Sequence, residues 1–422
     1  MDRIANRIEH MPAPSSHEDF TTAPNKTFGA VLPWILFASL VYVTNYLTRA
    51  VFGPLLPGIE EEFAISHTAS TRLLLYLSIG YTSSMLLSGP ACALIRPRLL
   101  VAGSLVLAGL VFQVMAATHN FVLLSALFIL FGFVTGQYFN AGMSVLRSLV
   151  RPDQWSRAVS INEFGPNIGF ILAPLAAEFG SALFGWRGTL SALGWISVGI
   201  GIAFLLFGKG GDEPVGGSVS LRRQATVFRK GLLWLFAWLL GLAIAGQFAP
   251  FSVLTLHMVE ERAIPPDLAA FLLSASRIAT PVGALAGGYL TMRLGTRKTL
   301  TLCSAVYALA LLAMGMPVTA VFIAGMFVQP LFTAMLFPPL FTMLAEAFPL
   351  RRQPLLLGVG VPIGSFFGIG LMPGVLGMFG DHLGFAAGFL AMSAAVAASL
   401  LLLRFVPTPT DGPANETEKI MK

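Results

Sequence analysis

Between positions 31 and 405 the chain is a succession of apolar runs, each about as long as a helix needs to cross a bilayer. Backbone polar groups in hydrocarbon must be satisfied internally. Runs this long therefore point to helices rather than to barrel strands, which are short and alternating. The periodicity predicts twelve spans, at roughly 31–58, 68–94, 98–117, 121–147, 157–182, 187–208, 231–257, 267–291, 299–316, 318–346, 354–379 and 383–405. Charged residues make up 11% of the chain against 55% hydrophobic, where a soluble domain carries about 25% charged. The expected class is an all-α membrane protein in contact with lipid along its length.

Charge sets the expected orientation. Arg96, Arg98, Arg147, Arg151, Arg157, Arg293, Arg297 and Lys298 fall on one side of the alternation, as do both tails. The clusters Glu60–Glu62 and Glu260–Glu261 fall on the other. The positive-inside rule places the basic side and both termini in the cytoplasm, as for a multi-pass inner-membrane protein. The net charge of +6 then reflects topology and calls for no nucleic-acid partner. The polar N-terminal stretch has no apolar signal-peptide core, so the first span is expected to act as its own insertion signal.

The longest interior connection, Lys209–Lys230, is polar, basic and Gly-rich, and it separates spans six and seven. It divides the chain into a tail (1–30), a six-helix bundle (31–208), a central loop (209–230), a second bundle (231–405) and a C-terminal tail (406–422). Two six-helix repeats with a site at the midplane between them are a transporter plan. Cys92 and Cys303 belong to no metal or disulfide pattern, and no cofactor is expected. No Ser/His/Asp, paired-carboxylate, HExxH or GxxxxGK[ST] arrangement falls at usable spacing, so an enzyme is not expected.

The polar residues inside the spans are the candidate site. Tyr42, Asn45, Tyr46 and Arg49 share one helical face of the first span, and an arginine there costs about 3 kcal/mol. A guanidinium with two phenols and an amide suggests a wet cavity for an anion; the bland alternative is a snorkelling or paired structural arginine. Arg277 lies about three turns from the cytoplasmic end of the eighth span, and no mid-membrane acid is available to pair with it in spans seven to twelve. Gln137 and Asn140 can line the same cavity or act as interhelical glue. In the fifth span Glu163 and Asn167 lie one turn apart. A buried carboxyl there can exchange a proton as the bundles move, or else pair with Arg147 or Arg157 at the cytoplasmic mouth.

The stretch Gly288-Tyr-Leu-Thr-Met-Arg293-Leu-Gly295-Thr-Arg297-Lys298 resembles the loop motif of the major facilitator superfamily, with Met292 in place of the motif's acid. Gly89 to Arg98 is a more degraded copy. Arg151-Pro-Asp153 to Arg157, with Gly185-Trp186-Arg187, is similar to a further signature of that superfamily. The resemblance implies twelve transmembrane helices in two six-helix bundles and secondary transport by alternating access, with protons or a counter-solute as the coupled partner; a monomer is expected. Residues 46–63 resemble the first helix of organic-anion and organophosphate transporters, where an arginine binds substrate. Arg277 resembles the eighth-helix anion ligand of monocarboxylate transporters. Pro166 and an arginine-free seventh helix with Gln247 depart from the organophosphate pattern, so a small carboxylate or sulfonate is the expected solute. Gly165-Pro166 resembles a motif of drug/proton antiporters, which keeps proton-coupled efflux of amphipathic compounds as an alternative. The missing loop acids keep a non-transporting sensor or assembly factor as another.

Overall fold

The computed structural model describes residues 27–214, 231–347 and 353–405. Expectations for the tails, most of the central loop, and Arg351 and Arg352 fall outside these residues. All spanning elements are helices. In the first half they are α1 (Phe28–Ala50 and Phe52–Phe63), α2 (His67–Leu94), α3 (Pro97–Ala117), α4 (Phe121–Gly136 and Tyr138–Leu149) and α5, which begins at Trp155–Asn162. The stretch Phe164–Phe207 then holds the rest of α5 and, past a sharp turn at Gly185 (φ 66°), α6. The second half has α7 (Gly231–Leu256), α8 (Pro266–Arg277 and Thr280–Leu294), α9 (Thr296–Met314), α10 (Thr319–Met335 and Phe337–Ala347), α11 (Gln353–Ser365, continuing to Met372–Leu383) and α12 (Phe385–Ser399). Ten segments are long and apolar enough to cross a membrane. The 152–207 segment counts once for two helices, and α2 is too rich in Ser and Thr to qualify, which accounts for the expected twelve.

Proline explains most of the interruptions. A proline removes the hydrogen bond to the carbonyl four residues back. Pro54 deprives Ala50 at the first interruption, Pro166 deprives Asn162, Pro281 deprives Arg277, and Pro339 deprives Met335. In α7, Pro250 frees the Gly246 carbonyl, which instead accepts from Gln329 Nε2 of α10 at 2.6 Å. Neighbouring side chains re-satisfying a freed backbone group is how membrane helices tolerate proline. Within the first half, α2 and α4 touch backbone to backbone. A Cβ on Gly80 would lie 1.9 Å from the Ile129 carbonyl oxygen, and one on Gly132 would lie 2.0 Å from that of Leu77.

The two ends of the molecule differ. At the end carrying Glu60–Glu62, here the acidic rim, Asp381 of α11 accepts from the backbone N–H of His67 and of Thr68 of α2, both at 2.9 Å. There α1 meets α7 so closely that a Cβ on Gly53 would lie 2.7 Å from Ser252 Cα. Toward the basic rim, no hydrogen bond or ion pair among the described residues joins the halves beyond Thr82, whose hydroxyl donates to the Pro362 carbonyl at 3.3 Å. The halves are fastened at the acidic rim.

The halves also repeat each other in detail. Arg187 pairs with Glu62 and donates to the carbonyls of Met115 and Ala116, capping the end of α3. Arg262 donates to the carbonyls of Met314 and Met316 at the end of α9, beside Glu261, which accepts from Phe385 N–H at 2.6 Å. Glu62 and Glu261, Gly185 and Gly384, and Trp186 and Phe385 stand at one and the same spacing along the chain. Both glycines have positive φ (66° and 83°), as the turn into the last helix of each half requires.

Candidate functional site: two buried arginines about an aromatic group

Arg49 and Arg277 are both buried, at 5% and 1% exposure. Each sits at or beside a helix interruption, Arg49 two residues before the one in α1 and Arg277 at the one in α8. The Arg49 guanidinium lies 4.3 Å from the Tyr46 ring centroid and 4.5 Å from that of Tyr81 on α2. Its Nε donates to the Asn45 carbonyl at 3.3 Å, and its Nη1 has no partner. The Arg277 guanidinium lies 4.9 Å from Phe170 of α5 and 4.8 Å from Phe251 of α7. Its Nη1 and Nη2 donate to the side-chain and backbone oxygens of Gln247 at 2.8 and 3.0 Å, and its Nε has no partner.

One group of rings links the two cations across the halves. Tyr46 lies 5.7 Å from Phe170 and 6.2 Å from Phe248, and Phe170 lies 4.9 Å from Phe248 and 5.0 Å from Phe251. Arg277 of the second half thus rests on a ring of the first. The cavity beside Arg49 has a volume of about 10 Å³, room for about one water. Where a wet cavity is expected, this arrangement has a tight enclosure with rings filling most of the space beside Arg49. Arg277 also has a partner that charge alone did not reveal. Gln247 bridges three helices, with its Nε2 donating to the Pro330 carbonyl and to Thr333 Oγ1 of α10 while its oxygens hold Arg277. No carboxylate reaches either guanidinium among the described residues.

The other candidates divide. Tyr42 stacks on Tyr138 at 4.9 Å and meets Tyr46 edge-on at 5.4 Å, so it extends the aromatic group. Asn45 donates to the Thr135 carbonyl of α4, and Asn140 donates to Ser88 Oγ of α2. Both amides are engaged between helices, as membrane glue is. Gln137 sits at the interruption of α4 with a buried, unpartnered Oε1. Glu163 stands at the interruption of α5, near Tyr42, Tyr46 and Tyr138. It is exposed rather than buried and has no ion-pair partner among the described residues, so the expected alternative of pairing with Arg147 or Arg157 is not seen. Asn167 Nδ2 donates to the backbone carbonyl of Glu163 at 3.0 Å and not to its carboxylate.

In the loop motif, Gly295 has φ 83° and turns the chain from α8 into α9. Arg293 lies over Tyr289 at 5.4 Å, and Arg297 is exposed. Gly288 is not the packing glycine: its nearest neighbour would be 4.0 Å from an added Cβ, while a Cβ on Gly287 would lie 2.4 Å from the Met335 carbonyl oxygen. Helix register puts Gly287 on the face toward α10. The sequence reading missed Tyr81, Phe170, Phe248 and Phe251. The available signal was Pro281, four residues after Arg277, which marks an interrupted helix at a charge.

A solved bacterial homologue of the lysosomal transporter Spinster, in an inward-facing and occupied conformation, is similar over 92% of this chain and 99% of its own, at TM-score 0.74 and 15% identity. A mutant form of the nucleoside transporter NupG matches with TM-score 0.70 and 13% identity over 88% of this chain and 100% of its own. A D-xylose–proton symporter matches with TM-score 0.68 and 17% identity over 91% and 99%. At these identities the likeness is one of fold. The uncharacterised MFS-type transporter YtbD of Bacillus subtilis (strain 168) is 24% identical over 278 residues, 65% of this chain and 68% of that protein. The family model of the Major Facilitator Superfamily matches residues 38–256 and 233–422. The repeated halves, the twelve helices and this match agree: the chain is a multi-pass membrane protein that belongs to the Major Facilitator Superfamily.

Proposed function

We propose that the protein is a secondary transporter of a small organic anion, carboxylate- or sulfonate-like, and that Arg49 and Arg277 bind it between the two halves. One observation carries this reading: both guanidiniums are buried without a carboxylate among the described residues, and each keeps one nitrogen unpartnered. Removing an ion from water costs several kcal/mol. Desolvated cation–π contacts return about 2 kcal/mol and hydrogen bonds to a charged group about 1.5–3. The remainder favours an incoming anion, which guanidinium binds in a planar, bidentate manner. The rings between the arginines suit an apolar body on that anion.

The repeat supports the same choice. At the spacing that maps Glu62 onto Glu261, Arg49 meets Phe248 and Arg277 meets Ser78. Neither cation belongs to the duplicated scaffold. Glu163, near Tyr42 and Tyr46, is the proposed proton-coupling residue, and the basic rim is the proposed cytoplasmic face of an inner-membrane protein. A second reading, efflux of amphipathic cations, draws on a groove of about 640 Å³ at the acidic rim lined by Glu61, Glu62 and Glu178.

Counterflow into proteoliposomes tests the choice. Vesicles preloaded with unlabelled benzoate, lactate or isethionate are expected to accumulate the labelled counterpart of at least one of them. Extrusion of a cationic dye with no anion counterflow would favour the second reading.

A further inference from the structure

The acidic rim carries a group of side chains that neither the repeated scaffold nor the arginine site uses. His67, the first residue of α2, has Nδ1 2.8 Å from Glu60 Oε2 and Nε2 3.4 Å from Glu260 Oε2. Glu60 closes α1 in the first half, and Glu260 follows α7 in the second, so the imidazole bridges the halves. Glu60 is buried at 8% exposure, and its Oε1 accepts from Ser70 Oγ. Asp381 of α11 faces the same point and takes the backbone N–H groups of His67 and Thr68. From α12 the Phe385 ring packs 4.9 Å from the imidazole, and next to Glu260 the Glu261 carboxylate is engaged by His257 and Phe385 N–H. The charged groups acting on His67 are thus the carboxylates of Glu60, Glu260 and Asp381.

A neutral imidazole has one N–H and can donate to one of two flanking carboxylates; with both nitrogens protonated it donates to both. The arrangement also departs from the repeat. At the spacing that maps Glu62 onto Glu261, Glu60 meets Val259, His67 meets Pro266 and Asp381 meets Ala182. None of the three side chains meets a like residue at that spacing, and the contact they form spans the halves.

We propose that His67 is a proton-binding site of the gate at the acidic rim: as an imidazolium it ties Glu60 of one half to Glu260 of the other, and losing the proton releases Glu260 and lets that rim part. The Glu60 hydrogen bond raises the proton affinity of the ring above its ordinary value, and burial opposes this. The sign follows from linkage. The tie is fully present below about pH 6.5, the ordinary imidazole value, and is lost as pH rises through the higher value of the closed gate. The ligand atoms of Glu60, His67 and Glu260 lie within 4.8 Å of one another, near enough for a metal ion. The two carboxylates nevertheless approach different ring nitrogens, and one ion can take only one of those, so a proton satisfies the geometry better than a metal.

The test is a distance across the rim in full-length protein, with Cys92 and Cys303 changed to Ala and spin labels on Ala117→Cys and Ala320→Cys. These positions lie near the acidic-rim ends of α3 and α10, outside the proposed tie. Wild-type His67 is expected to give a short distance at pH 5.5 and a several-fold larger long-distance population at pH 8.5. His67→Lys, with a permanent charge, is expected to stay short at both pH values, and His67→Gln to be long at both. A wild-type distribution that ignores pH, or a His67→Gln variant that keeps the wild-type response, would overturn the proposal. Restoration of the short distance at pH 8.5 by micromolar Zn²⁺ would overturn it in favour of a metal. If His67→Gln does not insert, Glu260→Gln serves: a long distance at pH 5.5 supports the tie, and wild-type closure refutes it. The readout needs no substrate, so its failure is separable from that of the anion site.

Discussion

At the scale of single residues, charge in an apolar run was the readable signal. Arg49, Arg277 and Glu163 stand out because hydrocarbon penalises them, whatever the helices around them do. Their partners were not readable. Phe170, Phe248 and Phe251 look like any core or lipid-facing ring, and only the meeting of two halves makes Phe170 and Phe251 a floor for a cation, with Phe248 packed against Phe170. Asn45 and Asn140 show the converse, since an amide suited to ligand binding serves a neighbouring helix equally well. Glu163 is the residue-scale prediction. It has no ion-pair partner among the described residues, and the proposed role is to take and return a proton. Glu163→Gln is expected to abolish accumulation driven by an imposed pH gradient while leaving solute exchange near the wild-type rate. Undiminished accumulation would remove Glu163 from the coupling step.

At the scale of elements, hydropathy gave helix positions to within a few residues, because length and apolarity are fixed by the bilayer. The interruptions inside the helices were legible only in part. Pro330, Pro338 and Pro339 advertise bending in α10, but the functional meaning of Pro281 needed its neighbour Arg277. Pro281→Ala is expected to restore the hydrogen bond to the Arg277 carbonyl. Pro281 sits in the first turn of the second α8 segment, where proline is tolerated, so thermal stability should rise only as far as the two segments join into one helix. Exchange should slow, because a continuous α8 no longer bends at the arginine. A variant of unchanged stability and unchanged exchange rate would show that the interruption is set by packing instead. Close packing gives a second prediction. Gly132→Ala places a methyl against the Leu77 carbonyl and should destabilise the protein by about 1–3 kcal/mol, the usual cost of overpacking, measurable as a lower melting temperature.

At the scale of the whole molecule, the acidic clusters and the central loop marked the two halves, but the duplicated rim became visible only when Arg187 and Arg262 were seen capping α3 and α9. Glu62 and Glu261, Gly185 and Gly384, and Trp186 and Phe385 share one spacing and build the rim of each half, whereas Arg49 and Arg277, the proposed anion ligands, have no arginine counterpart at that spacing. The orientation proposed from charge makes its own prediction. A reporter inserted within Lys209–Lys230 should report cytoplasm and one beside Glu60–Glu62 periplasm, and the reverse pattern would invert every loop.

The central claim is that Arg49 and Arg277 together bind an organic anion, and a thermal-shift panel on purified protein tests it most directly. Ligands that bind the folded state raise its melting temperature. Benzoate, lactate, succinate and isethionate should be compared with uncharged amides of the same size. At least one anion should raise the wild-type melting temperature while its amide does not. The shift should vanish in Arg277→Gln and in Arg49→Gln and be partly kept in Arg277→Lys, which retains charge but loses the planar fork. An anion-specific shift of wild-type size in correctly folded Arg277→Gln protein would contradict the account.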